Sequence, residues 1–221
     1  MLLALALICV HDISSDSAPG SVLSVVEGMN AHQAEALLER HITDPRVLAH
    51  CRDVAAAACC IARAVREQGQ TVDLEQVEVM GLLHDLGRAR TQDGRRHGIE
   101  GFLLAQSEGA GREGRICLTH LLKGRNAAEG VEAGFLSEEE ASVSCDAHLS
   151  DLSLEEIIVT VADTMVIDEG IVPIAEKSRR MCLHYGDQPY LAENYRRALC
   201  LEARLTEMLG RTPYQALQEQ K

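Results

Sequence analysis

The sequence predicts an all-α protein, and three observations carry that prediction. From residue 30 onward, apolar residues recur at spacings of three and four along most of the chain. Capping residues stand where these stripes begin, and glycines where several of them end. No alternating apolar–polar run of any length interrupts the pattern, and no internal repeat is present.

Taken in order, Asn30 caps a short helix over Ala31 to His41. Asp44-Pro45 is a strong start signal, a cap followed by proline at the first helical position. The helix it opens carries Val47, Leu48, Cys51, Val54, Ala55, Ala58, Ile61, Ala62 and Val65 as a buried stripe, and Gly69 ends it. Asp73 caps the next helix, which turns Val77, Met80, Gly81, Leu82 and Leu83 to the core. Gly87 to Gly98 reads as a loop around Asp93-Gly94. Ile99 to Gln106 and Arg112 to Leu122 read as helices. The stretch from Gly124 to Leu136, with glycines at 124, 130 and 134, reads as irregular. Ser137 with Glu138 to Glu140 opens a short helix, and Ser153 caps an apolar one over Leu154 to Met165. Pro189 to Leu209 is the last, amphipathic helix. Its Tyr190, Tyr195, Leu199, Leu201 and Leu205 suit internal packing or a homodimer seam.

With 221 residues the chain is long enough for one domain with a full core. Residues 29–221 read as that domain. Residues 1–28 read as a flexible extension or an over-extended start, because the apolar Met1 to Val10 lacks a positive leader and is too short to span a bilayer. A cytoplasmic, membrane-free protein is therefore expected. Mean hydropathy is near zero. The formal net charge of −13 argues against a nucleic-acid polymer as partner. The eight cysteines show no C-x-x-C spacing and read as small buried hydrophobes in a reducing compartment.

The chemistry rests on histidine and aspartate. His84-Asp85 stands at the end of an apolar helix, where an unpaired imidazole and carboxylate are costly. A metal ion would satisfy both, given ligands from other helices. His50 lies near the stripe of the long helix, and Asp163 follows the apolar run 157–162. Together they form a His2Asp2 set suited to a hard or borderline divalent ion. A second dipeptide, His11-Asp12, reads as chance. His32, His41, His148 and His184 read as surface or structural residues, as does Glu100.

In the stretches 47–50, 81–88 and 161–163 the sequence resembles the HD-domain metal-dependent phosphohydrolase superfamily, with the resemblance extending over about residues 45–170. The type is the small, single-domain archaeal or bacterial one, a compact helical bundle with metal in its core. The resemblance implies that His50, His84, Asp85 and Asp163 bind a first ion. In two-metal members two further histidines bind a second ion, which implies His97 and His120 here, with Asp85 bridging. Two departures stand out. His97 follows His84 by a shorter step than in the cyclic-dinucleotide phosphodiesterases of the superfamily. Thr164 also stands where many relatives have lysine.

From Leu86 to Arg125 eight basic residues face four acidic ones, which suits an anionic substrate. Arg88 and Lys123 are placed to hold a phosphate, and Arg90 is next. The expected reaction is hydrolysis of a small nucleotide-like or cyclic phosphate by metal-activated hydroxide, with Asp85, Arg88 and Lys123 as catalytic residues. Some archaeal proteins of this kind open cyclic phosphates on pterin intermediates. The cofactor is one or two divalent ions among Mn, Fe, Ni, Mg and Zn. Alternatives are a one-metal phosphomonoesterase, a metal-bound regulatory scaffold and, more remotely, di-iron oxygenase chemistry. Substrate-defining residues are expected in 88–97 and 124–150. No P-loop is present.

Overall fold

The computed structural model describes residues 28–144, 148–186 and 188–219. The extension read over residues 1–28 lies, Gly28 apart, outside the described residues. Among the described residues, eleven α-helices run in order: α1 (Ala31–His41), α2 (Pro45–Glu67), α3 (Leu74–Leu83), α4 (His97–Ser107), α5 (Arg115–Leu122), α6 (Ala127–Glu132), α7 (Glu138–Ser144), α8 (Leu154–Asp163), α9 (Ile174–Tyr185), α10 (Pro189–Leu209) and α11 (Pro213–Gln218). A 3-10 turn, Leu86–Ala89, joins α3 to α4, and a two-residue hairpin follows α8. Its strands β1 (Val166–Ile167) and β2 (Gly170–Ile171) pair antiparallel, Val166 with Ile171 and Ile167 with Gly170.

Local chemistry sets the boundaries. Asn30 and Gln33 form a reciprocal capping box at α1, as Ser153 and Glu156 do at α8. Asp44 accepts the Arg46 N–H and Asp73 the Gln76 N–H, so α2 and α3 begin where their caps predict. Helix α2 is the central element. It packs on α3 and α8, burying Cys51, Val54, Ala55, Ala58, Ile61, Ala62 and Val65.

The sequence reading needs correction in several places. Residues 124–136 are not irregular throughout, because Asn126 and Glu129 form a capping box that nucleates α6. Gly124 and Gly134 bracket it at φ 79° and 76°, and Gly130 packs between Leu122 and Leu136. Helix α4 begins at His97 rather than Ile99, and α5 at Arg115 rather than Arg112. Helix α8 ends at Asp163, short of Met165. Helices α9 and α11 were not expected. Only Ile174 of α9 is buried, so it carries no deep apolar stripe, and α11 is a single box-capped turn or two.

In α10, Leu201 and Leu205 join the core while Leu199 is exposed. Cys51, Cys59 and Cys117 are buried, as read, whereas Cys200 is exposed. Among the described residues, no helix is long and apolar enough to cross a membrane.

Candidate metal centre

Close helix crossings assemble the site, and glycines permit them. A β-carbon at Gly81 of α3 would stand 2.5 Å from Cα of Ala55. That approach of α2 and α3 brings His50 and His84 to a ring separation of 5.3 Å. A β-carbon at Gly87 would stand 1.8 Å from the His97 carbonyl oxygen. The turn after His84-Asp85 therefore lies directly on the first turn of α4. A β-carbon at Gly98 would meet the Cys117 carbonyl at 2.8 Å, which sets α4 on α5 and His97 beside His120. The short step from His84 to His97 is thus spanned by a 3-10 turn and a glycine contact.

All six histidines and aspartates implied as ligands converge. Nε2 of His50 lies 3.3 Å from Oδ1 of Asp163. Nε2 of His84 lies 3.8 Å from that same oxygen and 3.9 Å from Oδ2 of Asp85. Oδ1 of Asp85 lies 3.0 Å from Nε2 of His97 and 3.6 Å from Nε2 of His120. Two triads of donor atoms result, each within a 4.8 Å span: His50, His84 and Asp85, and Asp85, His97 and His120. Asp85 belongs to both, and Asp163 closes the first.

The donors are oriented for a cation. Nδ1 of His84 faces the Gly81 carbonyl at 2.8 Å, that of His97 the Asp93 carbonyl at 3.3 Å, and that of His120 the Ile116 carbonyl at 3.0 Å. A carbonyl only accepts, so each Nδ1 carries the proton and each ring turns its Nε2 inward. Nε2 of His84 is buried with no hydrogen-bond partner. The Nε2 atoms of His97 and His120 face each other at 3.3 Å. Two inward-facing ring nitrogens at that separation, beside a shared carboxylate, are a donor set that fits divalent metal.

Electrostatics agree. Burial pulls the imidazoles of His84 and His120 below the ordinary range, towards the neutral form that ligates. Burial opposes ionisation of Asp85, but attraction to the imidazoles of His97 and His84 outweighs it and holds the carboxyl well below the usual range. For Asp163 burial is likewise overcome, chiefly by the Lys177 ammonium and the His50 hydrogen bond.

Lys177 was missed by sequence reading, because α9 was missed. Its ammonium donates to the carbonyl and Oδ1 of Asp163, and to the Val166 carbonyl at 2.8 Å. It thereby fixes the turn that presents Asp163, reaching in from another helix while Thr164 caps back onto Val161.

A cavity of about 680 Å³ opens over the cluster. Arg88 and Lys123 line it. Nε of Arg88 lies 3.6 Å from Oδ2 of Asp85. Lys123 ends α5 in the left-handed region at φ 49°, a strained placement for a lysine, and donates to the His120 carbonyl. Burial pulls its ammonium down to about 8.

Arg90 is not among the lining residues and stands 3.9 Å from Glu100. The basic window is not a positive face either, since Arg96 pairs with Glu140 and Arg115 with Glu156. Residues 124–150 contribute nothing to the lining in the described structure, and α9 and α10 form the walls instead. His184, read as a surface residue, is exposed and lies at the rim.

A family model, the HD domain, matches residues 47–166. An uncharacterized protein of Methanocaldococcus jannaschii is 30% identical over 136 residues, covering 61% of this chain and 75% of that relative. No solved structure matches.

Proposed function

The chain belongs to the HD domain family, a superfamily of metal-dependent phosphohydrolases, and on that premise we propose that it is a two-metal phosphodiesterase acting on a small nucleotide-like or cyclic phosphate. One observation carries the two-metal reading: Asp85 is shared by two triads of inward-facing donors. In this reading His50, His84, Asp85 and Asp163 hold the first ion, and Asp85, His97 and His120 the second. Divalent ions held there would activate water for attack at neutral pH and would neutralise phosphoryl oxygens.

The chain's own residues do the rest. Lys123 has one hydrogen bond to the His120 carbonyl, which leaves two ammonium protons for a phosphate oxygen. Arg88 stands beside Asp85 with its guanidinium at the cavity wall and adds a second positive group where charge grows in the transition state. Lys177 and Arg180 also line the cavity; Lys177 is engaged by Asp163 and Val166, and Arg180 turns Nε and Nη1 to Glu176 and Glu169. Arg88 gives Nη1 to the Gln92 carbonyl at 3.3 Å and stands nearest the shared carboxylate of Asp85. His84 is fully shielded, while His50, Asp85 and Asp163 face the cavity, where a substrate can reach them.

The test is hydrolysis of bis(p-nitrophenyl) phosphate against p-nitrophenyl phosphate, by protein loaded with each candidate metal. A marked preference for the diester supports this reading. A preference for the monoester, with a single bound ion, favours a one-metal nucleotidase. No turnover of either, with metal bound, favours a regulatory scaffold.

A further inference from the structure

The cavity is lined by two unlike sets of residues, the metal cluster with Arg88 and Lys123, and a face of α10. There Tyr190, Leu191, Asn194, Tyr195 and Ala198 line the space, a single helical face by their spacing. A cavity of about 680 Å³ is far larger than a phosphoryl group needs.

Aromatic residues are scarce in this chain, four tyrosines and two phenylalanines. Three of those tyrosines, 185, 190 and 195, nevertheless line this cavity. Tyr185 is 50% exposed, and Tyr190 and Tyr195, though they pack against the core, are only partly buried, so each leaves ring surface at the cavity. Tyr190 is also held in place. The Phe135 ring meets it edge-on at 6.1 Å, and the Arg95 guanidinium sits over it at 5.7 Å. A ring so fixed gives up little freedom when a ligand stacks on it. One turn further on, Oδ1 of Asn194 is shielded from water and accepts no hydrogen bond. An amide beside an aromatic platform offers acceptor and donor groups in one plane.

We propose that the α10 wall is a ring-recognition subsite, in which Tyr190 stacks a planar heteroaromatic group of the substrate and Asn194 hydrogen-bonds the N–H edge of that ring. The inference rests on the phosphohydrolase reading for the phosphate and assigns the α10 wall of the same cavity. Specificity then resides in α10, a helix beyond the residues that carry the family's metal ligands.

The test uses metal-loaded, full-length protein and phosphonate analogues, whose P–C bond resists hydrolysis. Calorimetric titration compares the 5′-methylenephosphonate of adenosine with that of ribose alone. The adenosine compound is expected to bind about tenfold tighter or better, the scale of one stacked base. Tyr190→Leu should shrink that gap to under about threefold, leaving the ribose affinity and metal content unchanged. Asn194→Leu should erase discrimination between the uridine phosphonate and its N3-methyl derivative. Equal wild-type affinity for the adenosine and ribose compounds overturns the subsite and needs no variant to fold. Equal weakening of both ligands by Tyr190→Leu overturns it too. Hydrolysis of bis(p-nitrophenyl) phosphate is followed in parallel. Its absence counts against the phosphohydrolase reading, whereas the ring preference stands or falls on the titration alone.

Discussion

Replacing Gly87 by alanine is expected to disable one half of the metal centre while leaving the other half built. The new β-carbon would lie 1.8 Å from the His97 carbonyl oxygen and 2.5 Å from the Gly101 nitrogen, where ordinary contact begins at 3.4 Å. Both neighbours are backbone, so no rotamer change relieves the clash. The first turn of α4 must retreat by about 1.6 Å, the difference between 3.4 and 1.8 Å. Metal–nitrogen bonds tolerate only about 0.2 Å, so His97 leaves the reach of an ion held by Asp85. Overpacking against backbone belongs at the upper end of its usual range, about 3 kcal/mol. In a chain of this size that lowers Tm by about 6–12 °C. Two assays read the outcome: Tm in the presence of chelator, and bound metal per chain by elemental analysis. The expected result is a drop in Tm of that order and the loss of one ion. Gly94→Ala is the control, because its β-carbon meets nothing within 4 Å. A Gly87→Ala protein with unchanged Tm and a full metal complement would refute the reasoning.

Two other outcomes follow from the described geometry. Lys123→Met keeps the buried stem and removes the charge. It should lower kcat/KM for a diester by about 10–100-fold, the worth of one charge-assisted hydrogen bond, with metal content unchanged, and an unaltered kcat/KM would remove Lys123 from the site. Glu140, hydrogen-bonded to Arg96, has its carboxyl lowered from 4.5 to about 2. Because its folded value lies below its unfolded one, the stabilisation is complete above about pH 4.5 and fades as pH falls towards 2. With solvent screening of this half-buried pair, Glu140→Gln should cost about 1 kcal/mol at pH 7. That gap should close near pH 2–3, and a pH-independent gap would contradict the pairing.

The helical architecture was legible because caps are local chemistry. Asn30, Asp44, Asp73 and Ser153 each announce a helix within three residues of sequence, and each helix begins there. The box at Asn126 and Glu129 was equally local, but the surrounding glycines obscured it. Helix α9 offers no such cue, since proline precedes it and only Ile174 is buried. His50, His84, Asp85 and Asp163 were legible because ionisable residues within apolar helices need a reason, and His97 and His120 only through the family resemblance; the structure places all six together. The cavity walls were not legible. Lys177 reaches Asp163 across 14 residues and from another helix, and nothing in its neighbourhood marks it as a partner. Arg90 shows the opposite error: proximity to Asp85 in sequence suggested a phosphate contact, but its side chain turns to Glu100.

Metal content per chain, on protein purified without chelator and without oxygen, tests the central claim most directly. Two ions per chain are expected, falling to one in His120→Ala with the helical circular dichroism intact, because His120 serves only the second triad. A wild-type chain that carries no stoichiometric metal, or a His120→Ala variant that keeps the full complement, would contradict the binuclear centre.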